Sequence, residues 1–429
     1  MKAIVSFVLT LLLAGIAEAA PIEGFWSGTA VRGGDATPVT LHIERERGAL
    51  VAHYNIPALS LAGMPLAKFT FDPATGAITT SRLFNGRLLE DAITGELHPA
   101  LLHGPPVKVQ LRREAHPPSL ATRERRVEFK SRGNILRGLL VTPRRHGRHP
   151  ALVSLHGSGP STRWLALDRA RRFAEAGYAM LIFDKPGSGE SQGDWTMTSL
   201  DEMAQDAIAA VDFVRAQPEV VPGKVGVWGH SQAGWVISRA AAMPNDIAFA
   251  IVLAGGGATS REVEDYGYLV RLKHANASAG ATAKAMSWVN RYFEYVRSGE
   301  GYAELTGTLK NAAGEEWVKA LGIDTVYPTP EQQPKWQWVA TYDPMADIRR
   351  IRIPVLLLFA EKDESSPSER SLARWREGLA QAGTHSVEWK MFADAEHHFL
   401  TPPHTGGWPS LAAGYYETQI DWLTRVVGR

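Results

Sequence analysis

The stretch Lys224–Trp235, KVGVWGHSQAGW, sets Ser231 between a short apolar run and a helical pattern, with Gly229 two residues before it and Ala233 two after. A strand-to-helix turn tight enough to lift a serine hydroxyl above a sheet edge crowds its neighbours, so both flanking positions must be small. Ala233 stands where glycine is commonest, and Gly234 follows at once. A serine hydroxyl is a poor nucleophile at neutral pH; it needs a base within hydrogen-bond reach and a third group to orient that base. IPVLLLFAEKD carries Asp363 a few residues past an apolar run, and SVEWKMFADAEHHF carries His397 and His398 past the next. The order serine, acid, histidine, each beyond its own strand, is one in which such a triad occurs. The chemistry it could do is acyl transfer through a covalent serine intermediate. The amide of Gln232, next after the nucleophile, would face the developing oxyanion.

Neighbouring groups read differently. Glu361 and Glu364 flank Asp363 and are expected to be solvated loop charges. FDKPGSGESQGDW is glycine-rich but lacks the Gly-Lys-Ser/Thr ending of a phosphate loop, and three residues rather than two separate Gly189 from Gly193, against a dinucleotide fingerprint. It is expected to be a turn at the sheet edge, with Asp184 structural. No His-Glu-x-x-His helix occurs, and the consecutive His397 and His398 cannot readily aim both rings at one ion, so neither a metal nor a cofactor is expected. His42, His53, His98 and His103 are scattered along the text and read as surface or turn histidines.

The elements that must position the reactive groups come from two grammars. From Pro21 to about Arg113 short alternating segments such as TPVTLHIERERGALVAHYNI and PVKVQLRRE are broken by turn signals, which predicts a small all-β domain over residues 20–118, a sandwich or a barrel. HPPSLATRERR then reads as a linker. Over residues 119–429 RRVEFKSRGNILRGLLVTP resembles a hairpin, after which HPALVSLHG, YAMLIFD, KVGVWGH, AFAIVLAGG, IPVLLLFAEKD and SVEWKMF alternate with helical patterns. Continuous apolar strands of this kind are covered on both faces, which predicts an α/β domain with a mostly parallel sheet. Residues 259–344 carry no strand pattern, yet hold Trp288, Trp317, Trp336 and Trp338, and are expected to form a helical insertion or lid. Most of those aromatics are expected to serve the insertion's own core.

The chain has 429 residues, 46 Lys and Arg against 45 Asp and Glu, and no cysteine. Near-zero net charge offers no field for a polyanion, so nucleic acid is not an expected partner. Absence of cysteine excludes disulfides, Cys-ligated zinc and lipid attachment to an N-terminal cysteine. MKAIVSFVLTLLLAGIAEAA places one lysine before an apolar run that ends in Ala17, Glu18, Ala19, the pattern of a secretory signal over residues 1–19. The expectation is a protein in the periplasm or outside the cell, with no membrane partner once the signal is cleaved.

From about Arg125 to the C-terminus the chain resembles the α/β-hydrolase superfamily. AEKD is similar to that superfamily's Gly-x-x-Asp, with Ala360 replacing the glycine, and EHHF is similar to its Asp-His-Gly-Phe ending, with His397 in the catalytic place and His398 where the glycine would stand. LVSLHGSGP resembles the His-Gly oxyanion segment, which implies Ser158 as the second amide donor and His156 as a loop-holding ring; DKPGSGES resembles the superfamily's Asp-x-x-Gly-x-Gly-x-Ser turn. The resemblance implies a serine hydrolase acting on a small acyl substrate, with Ser231 as nucleophile, His397 as base, Asp363 as orienting acid, and Ser158 with Gln232 as oxyanion hole. A carboxylic ester is the expected bond. Thioester and peptide or amide bonds use the same machinery, as in acyl-thioesterase-like, dienelactone-hydrolase-like and prolyl-peptidase-like branches. A binding protein on a hydrolase scaffold is the alternative from another class.

Overall fold

A computed structural model describes residues 22–46, 48–81, 83–98, 106–116, 120–403 and 406–428. The expected signal over residues 1–19 lies outside them, as does His103. The chain divides into two compact units, one built mainly from strands up to Glu114 and the other from the chain beyond Thr122 together with Arg32–Thr37 and Asn55–Met64.

The N-terminal strands are β1 (Gly24–Arg32), β2 (Asp35–Glu46), β3 (Ala49–Ile56), β4 (Leu61–Pro65), β5 (Thr70–Phe71), β6 (Ala77–Thr79), β7 (Phe84–Leu89), β8 (Ala92–Leu97) and β9 (Val107–Glu114). They form one nine-stranded sheet in the order β4-β3-β2-β1-β9-β8-β7-β6-β5. Alternation works as the sequence suggests: Val39, Leu41 and Ile43 of β2 are buried, and the residues between them are not. A two-sheet sandwich is not what these strands build among the described residues. Val39, Leu41 and Tyr54 gather with Phe84, Leu97, Val109 and Leu111 around one apolar cavity, so a single sheet bends until its two halves share an interior. Period-two patterning reports which face is apolar, whereas the choice between one bent sheet and two flat ones is made by twist and strand pairing.

The second unit opens with a hairpin, β10 (Thr122–Ser131) and β11 (Asn134–Pro143), whose two-residue turn takes positive φ at Arg132 (48°) and Gly133 (83°), as tight hairpins require. Then follow β12 (His149–Leu155), α1 (Leu167–Glu175), β13 (Ala179–Phe183), α2 (Leu200–Arg215), β14 (Val220–His230), α3 (Ala233–Ala242) and β15 (Ala250–Leu253). The remaining strands of its main sheet are β16 (Val355–Ala360) and β17 (Val387–Phe392). The sheet order is β10-β11-β13-β12-β14-β15-β16-β17. β11 is antiparallel to both its neighbours, and every pair from β13-β12 to β16-β17 is parallel.

Both faces of this sheet are apolar because successive residues feed opposite cores. Val355 and Leu357 of β16 join one cluster with Ala207 and Val211 of α2 and Ile237 of α3; Leu356 and Leu358 join the other with Phe173 of α1. Burying each such side chain contributes about 1.5–3 kcal/mol before conformational entropy is subtracted. Fixing the strands in this way fixes their carboxyl ends, from which the loops of interest leave.

Between β15 and β16 lie α4 (Ser260–His274), α5 (Ala279–Ser298), α6 (Tyr302–Asn311), α7 (Glu316–Leu321), α8 (Gln333–Thr341) and α9 (Met345–Ile348). Thr259 starts this helical run with a capping box, its hydroxyl accepting from the Glu262 amide while the Glu262 carboxylate takes the Thr259 amide. Trp288 and Trp317 are buried in the insertion's own cluster. Trp336 and Trp338 reach outward as well: Trp336 donates to the Thr196 carbonyl at 2.7 Å, and Trp338 packs edge-on to Trp235 of α3 at 5.7 Å. Two later helices, α10 (Ser368–Ala382) and α11 (Tyr415–Val426), complete the layers. No helix among the described residues is long and apolar enough to cross a membrane.

Candidate active site

Ser231 follows β14 directly and has φ of 59°, in the left-handed region that a non-glycine residue enters only under constraint. Space explains the small neighbours. A Cβ on Gly229 would lie 2.6 Å from the Ala233 Cβ, and one on Gly234 would lie 2.4 Å from the Gly255 carbonyl carbon. Position 233 therefore takes a methyl at no cost in backbone approach, and Gly234 is the residue on which the start of α3 closes against the 255–256 backbone.

The loops after β16 and β17 bring the other two groups to this turn. His397 Nε2 lies 3.0 Å from Ser231 Oγ, and its Nδ1 lies 2.8 Å from Asp363 Oδ2. Asp363 is buried, and its second oxygen accepts the amides of Ser365 and Ser366, both at 2.8 Å. A carboxylate can only accept, so the imidazole that donates to it carries a proton on Nδ1 and has Nε2 left to accept from the serine. From the insertion, the Tyr266 hydroxyl donates to the Asp363 carbonyl at 2.8 Å.

His398 points elsewhere: its ring stacks beside His230 at 5.3 Å, and burial lowers its pKa. Glu361 and Glu364 are exposed; one accepts the Asp394 amide and the other meets His274 at 2.9 Å. His156 binds the Phe183 carbonyl at 2.6 Å, and burial pushes its pKa down to about 4, so it is a neutral ring that ties the loop after β12 to the end of β13. Asp184 accepts the amides of Arg163 and Glu190 and pairs with the Arg163 guanidinium at 3.1 Å, a turn-building role.

The loop after β12 passes against Ser231, so that a Cβ on Gly157 would sit 3.8 Å from the Ser231 Cβ. Ser158 is exposed there and Gln232 is buried beside it. Among the described residues no protein acceptor engages either amide N–H. An oxyanion hole requires backbone amides without a protein acceptor close to the reacting group.

Two residues at this site carry no signal in the triad pattern. Lys185, buried at the end of β13, donates from Nζ to the Gly157 carbonyl and to Gln232 Oε1, each at 2.9 Å, and burial pushes its pKa down to about 8. A lysine two residues past five apolar strand residues, with Asp184 between, is the sequence feature that could have exposed it. His230, one residue before the nucleophile, places Nε2 2.7 Å from the His397 carbonyl; burial, then the neighbouring His397 and His398, hold its pKa well below the ordinary value.

Reactive side chains gathered at the carboxyl ends of parallel strands, with one antiparallel strand near the edge, define an α/β-hydrolase of the serine-hydrolase type. The family profile described as X-Pro dipeptidyl-peptidase (S15 family) matches residues 105–399, and the chain belongs to that family. It is similar to the quorum-quenching protein AidA of Acinetobacter baumannii, 30% identical over 126 residues that make up 29% of this chain and 41% of the relative. It is also similar to the esterase EstD of Thermotoga maritima, 23% identical over 275 residues, 62% of this chain and 59% of that one. The chain thus spans less than two thirds of either relative. A Pyrococcus furiosus esterase structure aligns with a TM-score of 0.46 at 18% identity, covering 72% of this chain and 93% of that chain.

Proposed function

We propose that this protein hydrolyses carboxylic esters of small acyl substrates through a covalent intermediate on Ser231. Ser231 Oγ attacks the acyl carbon as His397 Nε2 takes its proton, and Asp363 holds the imidazolium that forms. The Ser158 and Gln232 amides receive the negative oxygen of the tetrahedral intermediate. The C–O bond to the leaving alcohol breaks as His397 returns the proton to it. A water molecule, deprotonated by His397, then attacks the acyl-serine, and the proton goes back to Ser231 as the acid departs. The observation that carries this reading is the continuous relay Ser231–His397–Asp363, at 3.0 and 2.8 Å, on a serine held at positive φ. The name of EstD supports the ester as the bond.

The helical insertion is the lid in this reading, since Tyr266 of α4 bonds the loop of the acid and Trp338 of α8 packs on α3. The family description supports a second reading, cleavage of an amide after a short peptide, with the same three side chains. The chain enters the export pathway by its residues 1–19, and the intact mass of the mature protein should correspond to a chain beginning near Ala20.

A fluorophosphonate probe and a panel of aryl esters of rising acyl length, run beside an aminoacyl anilide, test these statements together. Labelling that disappears in Ser231→Ala, with ester turnover exceeding anilide turnover, is expected. A folded wild type that resists the probe ends the enzyme reading, and preference for the anilide replaces the ester.

A further inference from the structure

The N-terminal sheet holds a group of side chains that the chemistry above does not use. His42 and Glu44 stand two apart on β2, so they share the face opposite buried Leu41 and Ile43. His53 on β3 alternates with buried Ala52 and Tyr54, which puts it on that same outer face of the neighbouring strand. In the text these histidines are unrelated. Antiparallel pairing gathers them: one ligand atom from each of His42, Glu44 and His53 lies within 4.8 Å of the other two.

The spacing is that of donors sharing an ion rather than of a hydrogen-bonded pair. His42 Nδ1 and Glu44 Oε1 are 3.7 Å apart. Two ligands at about 2.0–2.1 Å from a tetrahedral metal are separated by roughly 3.4 Å, so small side-chain rotations close the triangle. The His42 ring lies flat on Phe25 of β1, centroids 4.0 Å apart and planes 5° from parallel. Such stacking occupies the ring face and fixes its plane, leaving the nitrogen lone pairs, which lie in that plane, for a ligand. All three ligating side chains are half-buried.

We propose that His42, Glu44 and His53 form a divalent transition-metal site, for which zinc is the best match, with water in the fourth position and β2 tied to β3 through the ion. Two imidazoles and a carboxylate suit zinc and its neighbours, whereas magnesium and calcium seek oxygen ligands throughout.

The test uses tag-free, chelator-stripped mature protein titrated with zinc chloride by calorimetry, and with cobalt chloride by visible absorption, at neutral pH. One equivalent is expected to bind, with a cobalt spectrum of tetrahedral intensity. His53→Gln and Glu44→Gln should each weaken zinc binding by about tenfold or more, while His98→Gln should not, and circular dichroism should show each variant folded. Should a variant fail to fold, the wild-type cobalt spectrum decides by itself, since an octahedral spectrum or no saturable binding overturns the site. Full zinc binding retained in folded His53→Gln overturns it equally.

Discussion

His230 Nε2 lies 2.7 Å from the backbone carbonyl oxygen of His397, so the ring next to the nucleophile holds the peptide of the residue that faces it. A carbonyl can only accept, which puts the proton on Nε2. The ring stays neutral because burial holds its pKa well below the ordinary histidine value. In the proposed reaction His230 is thus a positioning residue, anchoring the backbone from which the His397 imidazole extends.

Replacing it should loosen that placement without touching the reacting atoms. For His230→Phe, which keeps a ring beside His398, kcat is expected to fall about tenfold, or about 1.4 kcal/mol of barrier, with KM nearly unchanged. Steady-state kinetics on an aryl ester read the split. An unchanged kcat, or a loss confined to KM, would show that the bond does not orient the base.

The relay itself predicts a non-additive pattern. Ser231→Ala and His397→Gln should each lower kcat by roughly four orders of magnitude, and the double variant should be no worse than either alone, since the groups act as a unit. Asp363→Asn should cost nearly as much by favouring the wrong imidazole tautomer. His398→Gly should retain most activity, because its ring stacks on His230 instead of facing Ser231. A dead His398→Gly beside an active His397→Gln would reverse the assignment of the base.

Much of this was readable from the text because the signals are local. Gly229, Ser231 and Ala233 obey a steric rule that acts over five residues, and Asp363 and His397 each follow a strand whose apolar run is continuous. The same patterning revealed the helical character of residues 259–344, where strand runs are missing. What escaped depends on pairing across distance. Lys185 matters through Gly157 and Gln232, which only the order of β12, β13 and β14 brings to its side chain. His42 and His53 meet only once β2 and β3 are in register, and no spacing in the chain announces it. The nine-stranded sheet was legible as strands, but the choice between a sandwich and one curved barrel-like layer was not, since alternation is identical in either arrangement.

Gly234 offers a test of the turn. In an exposed helix, alanine for glycine would stabilise by about 1 kcal/mol. Here the new Cβ would lie 2.4 Å from the Gly255 carbonyl carbon and 2.6 Å from the Gly256 nitrogen, backbone atoms that cannot rotate away. Gly234→Ala is therefore expected to destabilise by about 1–3 kcal/mol, lowering Tm by several degrees and slowing fluorophosphonate labelling as Ser231 shifts. A higher Tm would mean that the start of α3 has room to spare.

Lys185 couples stability to catalysis in opposite directions. Its ammonium donates to the Gly157 carbonyl, which shares a peptide with the Ser158 amide, and to the Gln232 side-chain oxygen, so it contributes positive potential where an oxyanion would form. Lys185→Met keeps the stem and removes the charge and both donors, so kcat should fall about 10- to 100-fold with a smaller change in KM. The same burial lowers the folded pKa from 10.5 to about 8. Between those values the unfolded chain binds more protons than the folded one, so the cost of burying the charge is complete below about pH 8 and is relieved as pH rises toward 10.5. The unfolding free energy of the wild type, measured against Lys185→Met by urea denaturation, should accordingly rise by up to about 3 kcal/mol across that window. Wild-type kcat should decline as pH rises through about 8, where the folded protein loses the ammonium, and the variant should lack that alkaline limb. A stability difference that stays flat from pH 8 to 10.5 would mean the ammonium is hydrated in the folded protein, and the electrostatic part of its role would fall with it.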